Sequence, residues 1–202
     1  MTHNNYSAVI LAAGYSSRMG TLKPLLPVMG VPAIRRVVEI VKKVGASPIV
    51  VTGHRAGEIV SALDGSGAVI AENAGYDRGM LSSVQTGVSA LPDATRAFFL
   101  LPGDCCAVRP ETLVALMQAF ESGDETAIFP TFDARRGHPP IIPRALAAPL
   151  LEYSGEGGAK SCLSRYPGAD LPVADPGVLL DMDTPQDYAA LLEYLGGNPL
   201  GE

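Results

Sequence analysis

The sequence predicts an α/β fold whose central sheet is mostly parallel and is covered by helices on both faces. Short apolar segments rich in β-formers alternate with helical patterns, as crossover connections between parallel strands require. Residues 96–101 are almost continuously apolar, which is typical of a strand buried on both sides. The length of 202 residues suits one unit with one core, so we expect residues 1–202 to form a single domain.

Three strand–helix repeats fill the first half of the chain. Each predicted strand is an apolar, β-rich run, and each following segment has a helical pattern. The strands cover residues 6–13, 48–52 and 68–72, and the helices cover residues 32–44, 56–63 and 81–91. This order indicates parallel strands joined by helices.

The second half begins with the strand 96–101, which we expect at the centre of the sheet. The segments that follow are a helix over 110–120, a strand over 127–131, a helix over 158–165 and a strand over 169–174. Near 138–142 a further strand contains Pro139 and Pro140, which have no amide hydrogen to donate. We therefore place that segment at a sheet edge or in a loop.

The final helix is predicted over residues 184–195. Thr184 suits the N-cap, Pro185 suits the first helical position, and Asp187 places an acidic group in the first turn. These three residues mark the start of the helix more sharply than hydrophobic periodicity does.

Charge and composition exclude several classes of protein. The 15 Lys and Arg against 21 Asp and Glu give a net charge of −6, so no basic field attracts a nucleic-acid duplex. No apolar run approaches the ~18 residues of a membrane span, and the first residues lack the basic region of a signal peptide. Three cysteines, two of them adjacent, do not make a disulfide framework. We expect a cytoplasmic protein with neither nucleic acid nor membrane as partner.

A loop of small residues after the first strand is predicted to bind phosphate. Ala12, Ala13 and Gly14 let backbone amides approach a ligand, and Arg18 and Lys23 supply positive charge for phosphate oxygens. The spacing fits neither the G-x-G-x-x-G fingerprint nor the G-x-x-x-x-G-K-[ST] loop. The alternative is a tight connection whose two cations are solvated.

Asp104 is the best candidate for a magnesium ligand. It follows the predicted central strand, and open α/β sheets bind ligands outside the carboxyl ends of their strands. Mg²⁺ usually takes only one or two protein carboxylates together with substrate phosphates. The alternative is that Asp104 caps the following helix.

Asp181 and Asp183 are candidates for a second metal ligand. They lie two residues apart before the last helix, so an extended segment points both carboxylates the same way. The equally weighted alternative is that Asp183 caps the helix.

Four segments in the chain resemble the nucleotidyltransferases of the molybdenum cofactor family. The first is L-A-A-G-x-S-x-R-M-G-x-x-K, from Leu11 to Lys23. The others are G-x-x-x-S-x-x-x-G from Gly79, G-H-P from Gly137, and D-x-D-T-P-Q-D from Asp181. The resemblance implies a Rossmann-like, three-layer nucleotidyltransferase fold with a mostly parallel, mixed sheet.

The resemblance also assigns roles to particular residues. Arg18, Lys23 and Asp104 become catalytic residues, and Asp104 holds Mg²⁺ with Asp183 or Asp181 as the second ligand. The nucleotide-binding residues are those of the first loop and of the Gly79 segment: Leu11, Ala12, Ala13, Gly14, Ser16, Arg18, Gly20, Lys23, Ser82 and Ser83.

An acceptor site is expected around the turn that contains Gly137 and His138. Arg135 and Arg136 precede this turn, although a solvated basic turn is the simpler interpretation for Arg135. Residues 154–160 resemble the family's G-D-x-G-x-R segment, with Lys160 in place of Arg. A lysine does not reproduce the planar, bidentate grip of an arginine on phosphate, so Lys160 is a weaker candidate.

The chain departs from the family pattern directly after Asp104. The family commonly has G-D-x-P here, whereas this chain has Cys105 and Cys106. Adjacent thiols suggest a soft-metal or redox site, but no C-x-x-C spacing or nearby histidine completes a ligand set. Two small buried hydrophobic residues are the preferred interpretation.

Taken as a member of this family, the protein would transfer a nucleoside monophosphate from an NTP to a phosphate-bearing acceptor and release pyrophosphate. The resemblance implies molybdopterin or molybdenum cofactor as acceptor, Mg²⁺ as cofactor, and a molybdoenzyme or its chaperone as a candidate protein partner. The second alanine in Leu11-Ala12-Ala13-Gly14 favours CTP over GTP, because Leu-Ala-Gly-Gly is typical of guanylyltransferases. The alternatives are a sugar-1-phosphate nucleotidyltransferase and a non-catalytic nucleotide-binding module of the same fold.

Overall fold

The computed structural model describes residues 5–16 and 19–197, and its framework is a mixed sheet between two layers of helices. Within those residues the strands are β1 (Tyr6–Leu11), β2 (Pro27–Val28), β3 (Val31–Pro32), β4 (Ser47–Thr52), β5 (Val69–Glu72), β6 (Ala97–Pro102), β7 (Ala127–Phe132), β8 (Arg135–Arg136), β9 (Ile141–Pro143) and β10 (Gly168–Pro172). The main sheet has the order β10-β7-β9-β6-β1-β4-β5, with β8 beside β7, and β2 and β3 form a separate hairpin.

Helices of very different length connect these strands. They are α1 (Ala33–Lys43), α2 (Ala56–Ala62), α3 (Met80–Ser89), α4 (Pro110–Ser122), α5 (Ala147–Glu152), α6 (Gly158–Leu163) and α7 (Pro185–Gly197). Short 3-10 turns cover Lys23–Leu25, Tyr76–Arg78, Arg144–Leu146 and Pro176–Leu179. No helix of the described residues is long and apolar enough to cross a membrane.

The sheet is mostly parallel, as the sequence predicts. Strand β1 is parallel to β4 and β6, β4 is parallel to β5, and β10 is parallel to β7. Strand β9 runs antiparallel to both β6 and β7, which makes the sheet mixed. The predicted three-layer, mixed α/β fold is therefore confirmed.

Two apolar cores lie on opposite faces of the sheet. Along β1, Ile10 faces the core formed with α1, α2, α4 and α7, whereas Val9 faces the core formed with α3, α5 and α6. Phe99 and Phe98 divide β6 in the same way. Each such fully buried side chain contributes roughly 1.5–3 kcal/mol of transfer free energy, which explains why both strands are continuously apolar.

Of the two predicted positions for residues 138–142, the sheet edge is wrong, whereas residues 138–140, with both prolines, do lie in a loop. Strand β9 begins after the two prolines, at Ile141, and lies inside the sheet between β6 and β7 with all three residues buried. Pro140 still takes part in pairing, because its carbonyl oxygen accepts a hydrogen bond of 3.2 Å from the Leu100 amide. A proline restricts donation only, so a chain that needs acceptors at this point tolerates it.

Several boundaries also differ from the predicted ones. Strand β1 ends at Leu11, so Ala12 and Ala13 belong to the loop. The six-residue helix α5 was not predicted, because it is too short to show a helical period. Helix α3 begins at Met80 and packs very closely on the sheet: a Cβ on Gly87 would lie 2.3 Å from Val9 Cγ1.

Candidate active site

The carboxyl ends of β1 and β6 form the floor of the candidate site. The two strands pair in parallel with Leu11 opposite Pro102, so the loop after β1 and the turn after β6 leave the sheet side by side. The Gly103 amide donates a 2.8 Å hydrogen bond to the Leu11 carbonyl oxygen, and a Cβ on Gly103 would lie 2.9 Å from that oxygen. Asp104 is thereby fixed beside the first loop.

Two hydrogen bonds that Ser16 accepts shape the first loop. Ser16 has a left-handed backbone with φ of 52°, and its carbonyl oxygen accepts from the Met19 amide at 3.0 Å. Its hydroxyl accepts from the Lys23 amide at 3.1 Å, which ties the two ends of the loop together. Gly20, with φ of 64°, provides the second left-handed position. Ser17 and the predicted catalytic Arg18 lie outside the described residues.

Lys23, Asp104 and Asp183 meet at one point. Lys23 Nζ lies 3.2 Å from Asp104 Oδ2 and also forms a hydrogen-bonded ion pair with Asp183 Oδ1. The three side chains are 15%, 11% and 31% exposed. Burial lowers the pKa of Lys23, but the hydrogen bonds and negative charges of the two aspartates raise it by more, so its pKa lies above the ordinary value. The ammonium group stays charged at neutral pH.

The start of α7 shows that Asp183 is not the helix cap. Thr184 and Asp187 satisfy each other: the Thr184 amide and hydroxyl donate to Asp187 Oδ2 at 2.8 and 2.7 Å, and the Asp187 amide donates to Thr184 Oγ1 at 3.2 Å. The Asp183 carboxylate is directed to Lys23 instead. Of the two alternatives, the structure favours a role for Asp183 in the site.

A cleft of about 510 Å³, here called the first cleft, opens above these strand ends. It is lined by the predicted loop residues Leu11, Ala12, Ala13, Gly14, Ser16 and Lys23, by Ser83 and Asp104, and by Tyr15, Pro24, Tyr76, Asp77, Gly79, Met80, Pro102 and Gly103. Ser82 is not part of this lining. Its hydroxyl is bonded to the segment between β5 and α3, where it donates to the carbonyl oxygens of Gly75 and Gly79 at 3.0 and 2.8 Å.

Asn73 is a supporting residue that sequence reasoning missed. It is buried after β5, and its side-chain nitrogen donates to Ser82 Oγ at 2.9 Å and Ser83 Oγ at 3.0 Å. Its side-chain oxygen accepts from the Gly75 amide at 2.9 Å. Asn73 therefore holds the wall of the first cleft to the end of β5. An asparagine directly after a predicted strand was the available signal.

A second cleft of about 200 Å³ lies on the other side of Asp104. Its lining comes from three separate segments: Pro102, Asp104 and Cys105; Arg135, Arg136, Gly137 and His138; and Val178, Leu179, Leu180 and Asp181. Pro102 and Asp104 line both clefts. Asp104 thus stands where the two clefts meet.

The turn at Gly137 is held by backbone contacts with Val178. A Cβ on Gly137 would lie 2.3 Å from the Val178 carbonyl oxygen, and the His138 amide donates a 2.8 Å hydrogen bond to the same oxygen. Because Gly137 has no side chain, the turn can pack directly against the backbone of Val178. Desolvation of the ring lowers the pKa of His138 below the ordinary 6.5, against the opposing charges of Asp104 and Asp181.

Asp175 anchors the segment that supports this turn, and the sequence analysis did not identify it. It is 2% exposed and accepts from the Arg109 amide at 2.9 Å, Thr112 Oγ1 at 2.6 Å and the Gly177 amide at 2.9 Å. These bonds join the 3-10 turn Pro176–Leu179, which carries Val178, to the start of α4. Asp175 acts through backbone position and does not line either cleft.

Four other predicted positions have distinct surroundings. Asp181 lines the second cleft, and burial together with neighbouring negative charges raises its pKa. Cys105 and Cys106 are buried, and burial raises the pKa of Cys105 well above its ordinary value and that of Cys106 to about 12. Both thiols are therefore protonated at neutral pH, which disfavours a metal or redox role. Lys160 is exposed on α6 and lines neither cleft.

The donor set at Lys23 fits a magnesium ion. Two carboxylates from separate segments, Asp104 and Asp183, converge on a single cationic group, and hard carboxylate oxygens are the ligands that Mg²⁺ prefers. Within residues 5–16 and 19–197, no group of three or more His, Cys, Asp or Glu side chains forms a complete metal cage. Such a site suits an ion whose remaining ligands are water and phosphate.

Comparison with known proteins agrees with this geometry. The family model for the MobA-like NTP transferase domain matches residues 8–171. The chain is 26% identical over 186 residues to a molybdenum cofactor cytidylyltransferase of Escherichia coli, which covers 92% of this chain and 94% of the relative. It is 28% identical over 204 residues to a probable molybdenum cofactor guanylyltransferase of Trichormus variabilis, and this match covers 97% of this chain and 96% of the relative.

A solved structure shares the whole architecture. Rv0371c from Mycobacterium tuberculosis superposes with a TM-score of 0.80 at 29% identity, covering 96% of this chain and 100% of that chain. A complex of the same protein with manganese superposes with a TM-score of 0.75 at 26% identity, covering 94% and 98%. The family model matches more than half of the chain, and the chain therefore belongs to the MobA-like NTP transferase domain family and is a nucleotidyltransferase.

Proposed function

We propose that the protein transfers a nucleoside monophosphate, preferably from CTP, to the terminal phosphate of molybdopterin or molybdenum cofactor and releases pyrophosphate. The observation that carries this proposal is the meeting of two clefts at Asp104. A group-transfer reaction needs two substrate sites that share one reacting centre. A module that only binds nucleotide needs the first cleft alone.

The first cleft receives the NTP. The small residues Ala12, Ala13 and Gly14 allow the backbone to approach the nucleotide, and the wall around Ser83 contacts the base. The Lys23 ammonium, with Arg18 as its predicted companion, stabilises negative charge on the transferred phosphorus and on the departing pyrophosphate.

Asp104 and Asp183 would hold Mg²⁺, which neutralises charge on the phosphate oxygens when it is bound. The convergence of the two carboxylates on one cation supports this assignment, and a similar protein crystallises with manganese. Asp181, two residues away, faces the second cleft and is the less favoured second ligand.

The second cleft receives the acceptor. A phosphorylated acceptor carries its own nucleophile, so the protein needs to position it and does not need a Ser-His-Asp arrangement. His138 and Arg135 present donors on the wall opposite Asp104, and Gly137 holds the turn that carries them. Lys160 lies on α6 outside this lining, so we do not assign it to the acceptor.

The preference for CTP rests on the first loop. Ala13 lines the first cleft and is only 4% exposed. Its methyl group packs against Gly53 so closely that a Cβ added to Gly53 would lie 2.9 Å away. The loop is thus packed from behind and has little room to retreat from a purine. The two relatives carry cytidylyl and guanylyl names, so a side-by-side assay is needed.

A product assay tests this function. Protein, Mg²⁺ and each of the four NTPs are incubated with molybdopterin or with a sugar 1-phosphate, and dinucleotide products are identified by mass spectrometry. We expect a molybdopterin dinucleotide, formed fastest from CTP. Equal or faster turnover of GTP would overturn the base preference. A sugar nucleotide as the main product would overturn the acceptor, and no product from any pair would overturn the enzymatic proposal.

The cellular setting of this function is also proposed. We place the reaction in the cytoplasm, treat residues 1–202 as one working domain, and expect the product to pass to a molybdoenzyme or its chaperone. Cell fractionation, followed by co-purification with a molybdoenzyme under molybdenum-replete conditions, tests both the location and the partner.

A further inference from the structure

The ammonium group of Lys23 occupies the point on which the two metal-binding carboxylates converge. Asp104 follows β6 and Asp183 precedes α7, so the two carboxylates come from segments that are distant in the sequence. Both carboxylates reach the same Nζ atom. One ammonium group of the chain therefore already neutralises half of the charge of the two residues proposed to hold a metal.

This cation is firmly positioned. The Lys23 amide is bonded to Ser16 Oγ, and the residue opens the 3-10 turn Lys23–Leu25 with the buried Pro24 next to it. The side chains of Lys23 and Asp104 are only 15% and 11% exposed, so solvent screens their attraction weakly.

A divalent ion at the same carboxylates would meet strong repulsion from this ammonium. Two cations a few ångströms apart repel each other, and the repulsion is larger in a partly buried site than in water. Lys23 must leave before the metal enters. A triphosphate offers Lys23 a new set of anionic oxygens and also brings its own ligands for the metal.

We propose that Lys23 is an internal placeholder for the divalent cation: it holds Asp104 and Asp183 together in the nucleotide-free site and yields them to the metal only when a nucleoside triphosphate binds. The inference rests on the proposed function, because that function gives Lys23 its second position on the triphosphate. Metal and nucleotide binding are then coupled, and each raises the affinity for the other by the same factor.

The proposal predicts opposite effects of one substitution. Loss of the Lys23 charge impairs turnover, since the triphosphate loses a contact, but it strengthens binding of the metal alone, since the competing cation is gone. A role of Lys23 in the triphosphate contact alone predicts no gain in metal affinity. The sign of the change in metal affinity therefore separates the two accounts.

Mn²⁺ is the probe, and its binding is followed by the electron paramagnetic resonance signal of the free ion. The titration is made without nucleotide and with a non-hydrolysable CTP analogue. For the wild type we expect weak binding of Mn²⁺ alone and an increase of about tenfold or more with the analogue. Lys23→Met should bind Mn²⁺ alone about tenfold more tightly than the wild type, and the analogue should raise that affinity by a smaller factor than in the wild type, because only its own phosphate ligands then contribute.

Three further variants control the comparison. Lys43→Met removes the same charge from an exposed position at the end of α1 and should behave as the wild type. Lys23→Arg keeps a cation at the site and should retain weak binding of Mn²⁺ alone. Adding Asp104→Asn to Lys23→Met should abolish the gain. Circular dichroism establishes that each variant is folded.

Lys23→Met that binds Mn²⁺ no more tightly than Lys43→Met would overturn the proposal. A gain that survives Asp104→Asn would also overturn it, because the ion would then be bound elsewhere. These readouts need neither acceptor nor turnover. A gain in Mn²⁺ affinity without any dinucleotide product would therefore support the placeholder and contradict the proposed function. Formation of the dinucleotide product without a gain in Mn²⁺ affinity would support the proposed function and contradict the placeholder.

Discussion

The two clefts of this protein are built in different ways. The first cleft is formed mainly by the continuous loop after β1 and by the start of α3, which hydrogen bonds from Asn73 hold in place. The second cleft is formed by three segments that are far apart in the sequence and meet through backbone contacts. Asp104 lines both clefts, so it contributes both to the cleft formed by a local loop and to the cleft assembled from distant segments.

This difference shows that a local sequence motif is enough to shape the first cleft but not the second. The first loop creates its own shape through Ser16, Gly20 and Lys23, so its residues carry the information for the cleft. The turn at His138 is positioned by other segments of the chain: the Gly137 amide donates to the Pro130 carbonyl oxygen and the His138 amide donates to the Val178 carbonyl oxygen, each at 2.8 Å. Substitutions in the first cleft should therefore affect chemistry directly, and substitutions around the second should act through position or stability.

Asp104→Asn should have the largest effect, because it alters both clefts at once. The change keeps the shape of the side chain and removes the charge that Lys23 and a metal use. We expect turnover to fall about a thousandfold, at the upper end of the cost of removing one preorganised charge contact. Steady-state kinetics with both substrates varied measures it. Asp181→Asn is the matched control and should lose far less.

Lys23→Ala should act mainly on the first cleft, which Lys23 lines. Loss of one charge contact to the triphosphate typically costs about 100- to 1000-fold in rate, or about 3–4 kcal/mol of transition-state stabilisation. The KM of the acceptor should be unchanged, which turnover measurements at saturating NTP establish. Wild-type turnover in this variant would remove Lys23 from the catalytic residues.

Asp175→Ala should act on the second cleft through stability. The substitution leaves the Arg109 amide, Thr112 hydroxyl and Gly177 amide without their buried acceptor. Each unsatisfied buried donor costs about 1–3 kcal/mol, so the free energy of unfolding should fall by about 3 kcal/mol. Urea denaturation measures this change. In the folded fraction the KM of the acceptor should rise while that of the nucleotide stays constant.

Gly87→Ala should disturb the first cleft from behind. The new methyl group would lie 2.3 Å from Val9 Cγ1 and 2.8 Å from Val51 Cγ2, so α3 must move away from the sheet. Overpacking of this kind costs about 1–3 kcal/mol of stability, and displacement of α3 should raise the KM of the nucleotide. Gly57→Ala in α2 is the control: its Cβ meets nothing within 4 Å, and it should be neutral or slightly stabilising.

His138→Ala should have the smallest effect, with the KM of the acceptor raised about tenfold, equivalent to about 1.4 kcal/mol, and nucleotide affinity nearly unchanged. Because desolvation lowers the pKa of His138 below 6.5, the imidazole is neutral at pH 7 and gains a proton only in more acidic solution. Below pH 6.5 the acceptor KM of the wild type should change more than that of the variant, because the acceptor phosphate titrates with both proteins and His138 only in the wild type. Equal losses for both substrates would indicate a folding defect.

The sequence predicted the fold well where hydrophobic pattern and sheet burial coincide. Strands β1 and β6 were recognised because both faces are covered, and α7 because Thr184, Pro185 and Asp187 form its start. The internal position of β9 was missed because two prolines resemble an edge signal, although only their donor capacity is lost. Helix α5 was missed because six residues show no helical period.

The residues of the candidate site also differ in how far the sequence alone identifies them. Lys23 and Asp104 could be identified from the sequence, since each stands in a short motif beside a strand end. The choice between Asp181 and Asp183 could not be made, because it depends on which carboxylate reaches Lys23 after the chain folds. Asp175 acts through hydrogen bonds to residues in a distant segment, which no local pattern reveals, whereas Asn73 could be suspected only from its place directly after a predicted strand.

The central claim is that the two clefts form one centre for nucleotidyl transfer, and isotope labelling tests it most directly. CTP labelled with ³²P at the α or at the γ position is incubated with Mg²⁺, molybdopterin and the protein. We predict that the α label enters the pterin product, that the γ label leaves as pyrophosphate, and that Asp104→Asn slows both processes about a thousandfold. Transfer of the γ label to the acceptor, or an α-labelled product that forms equally well with Asp104→Asn, would contradict the account.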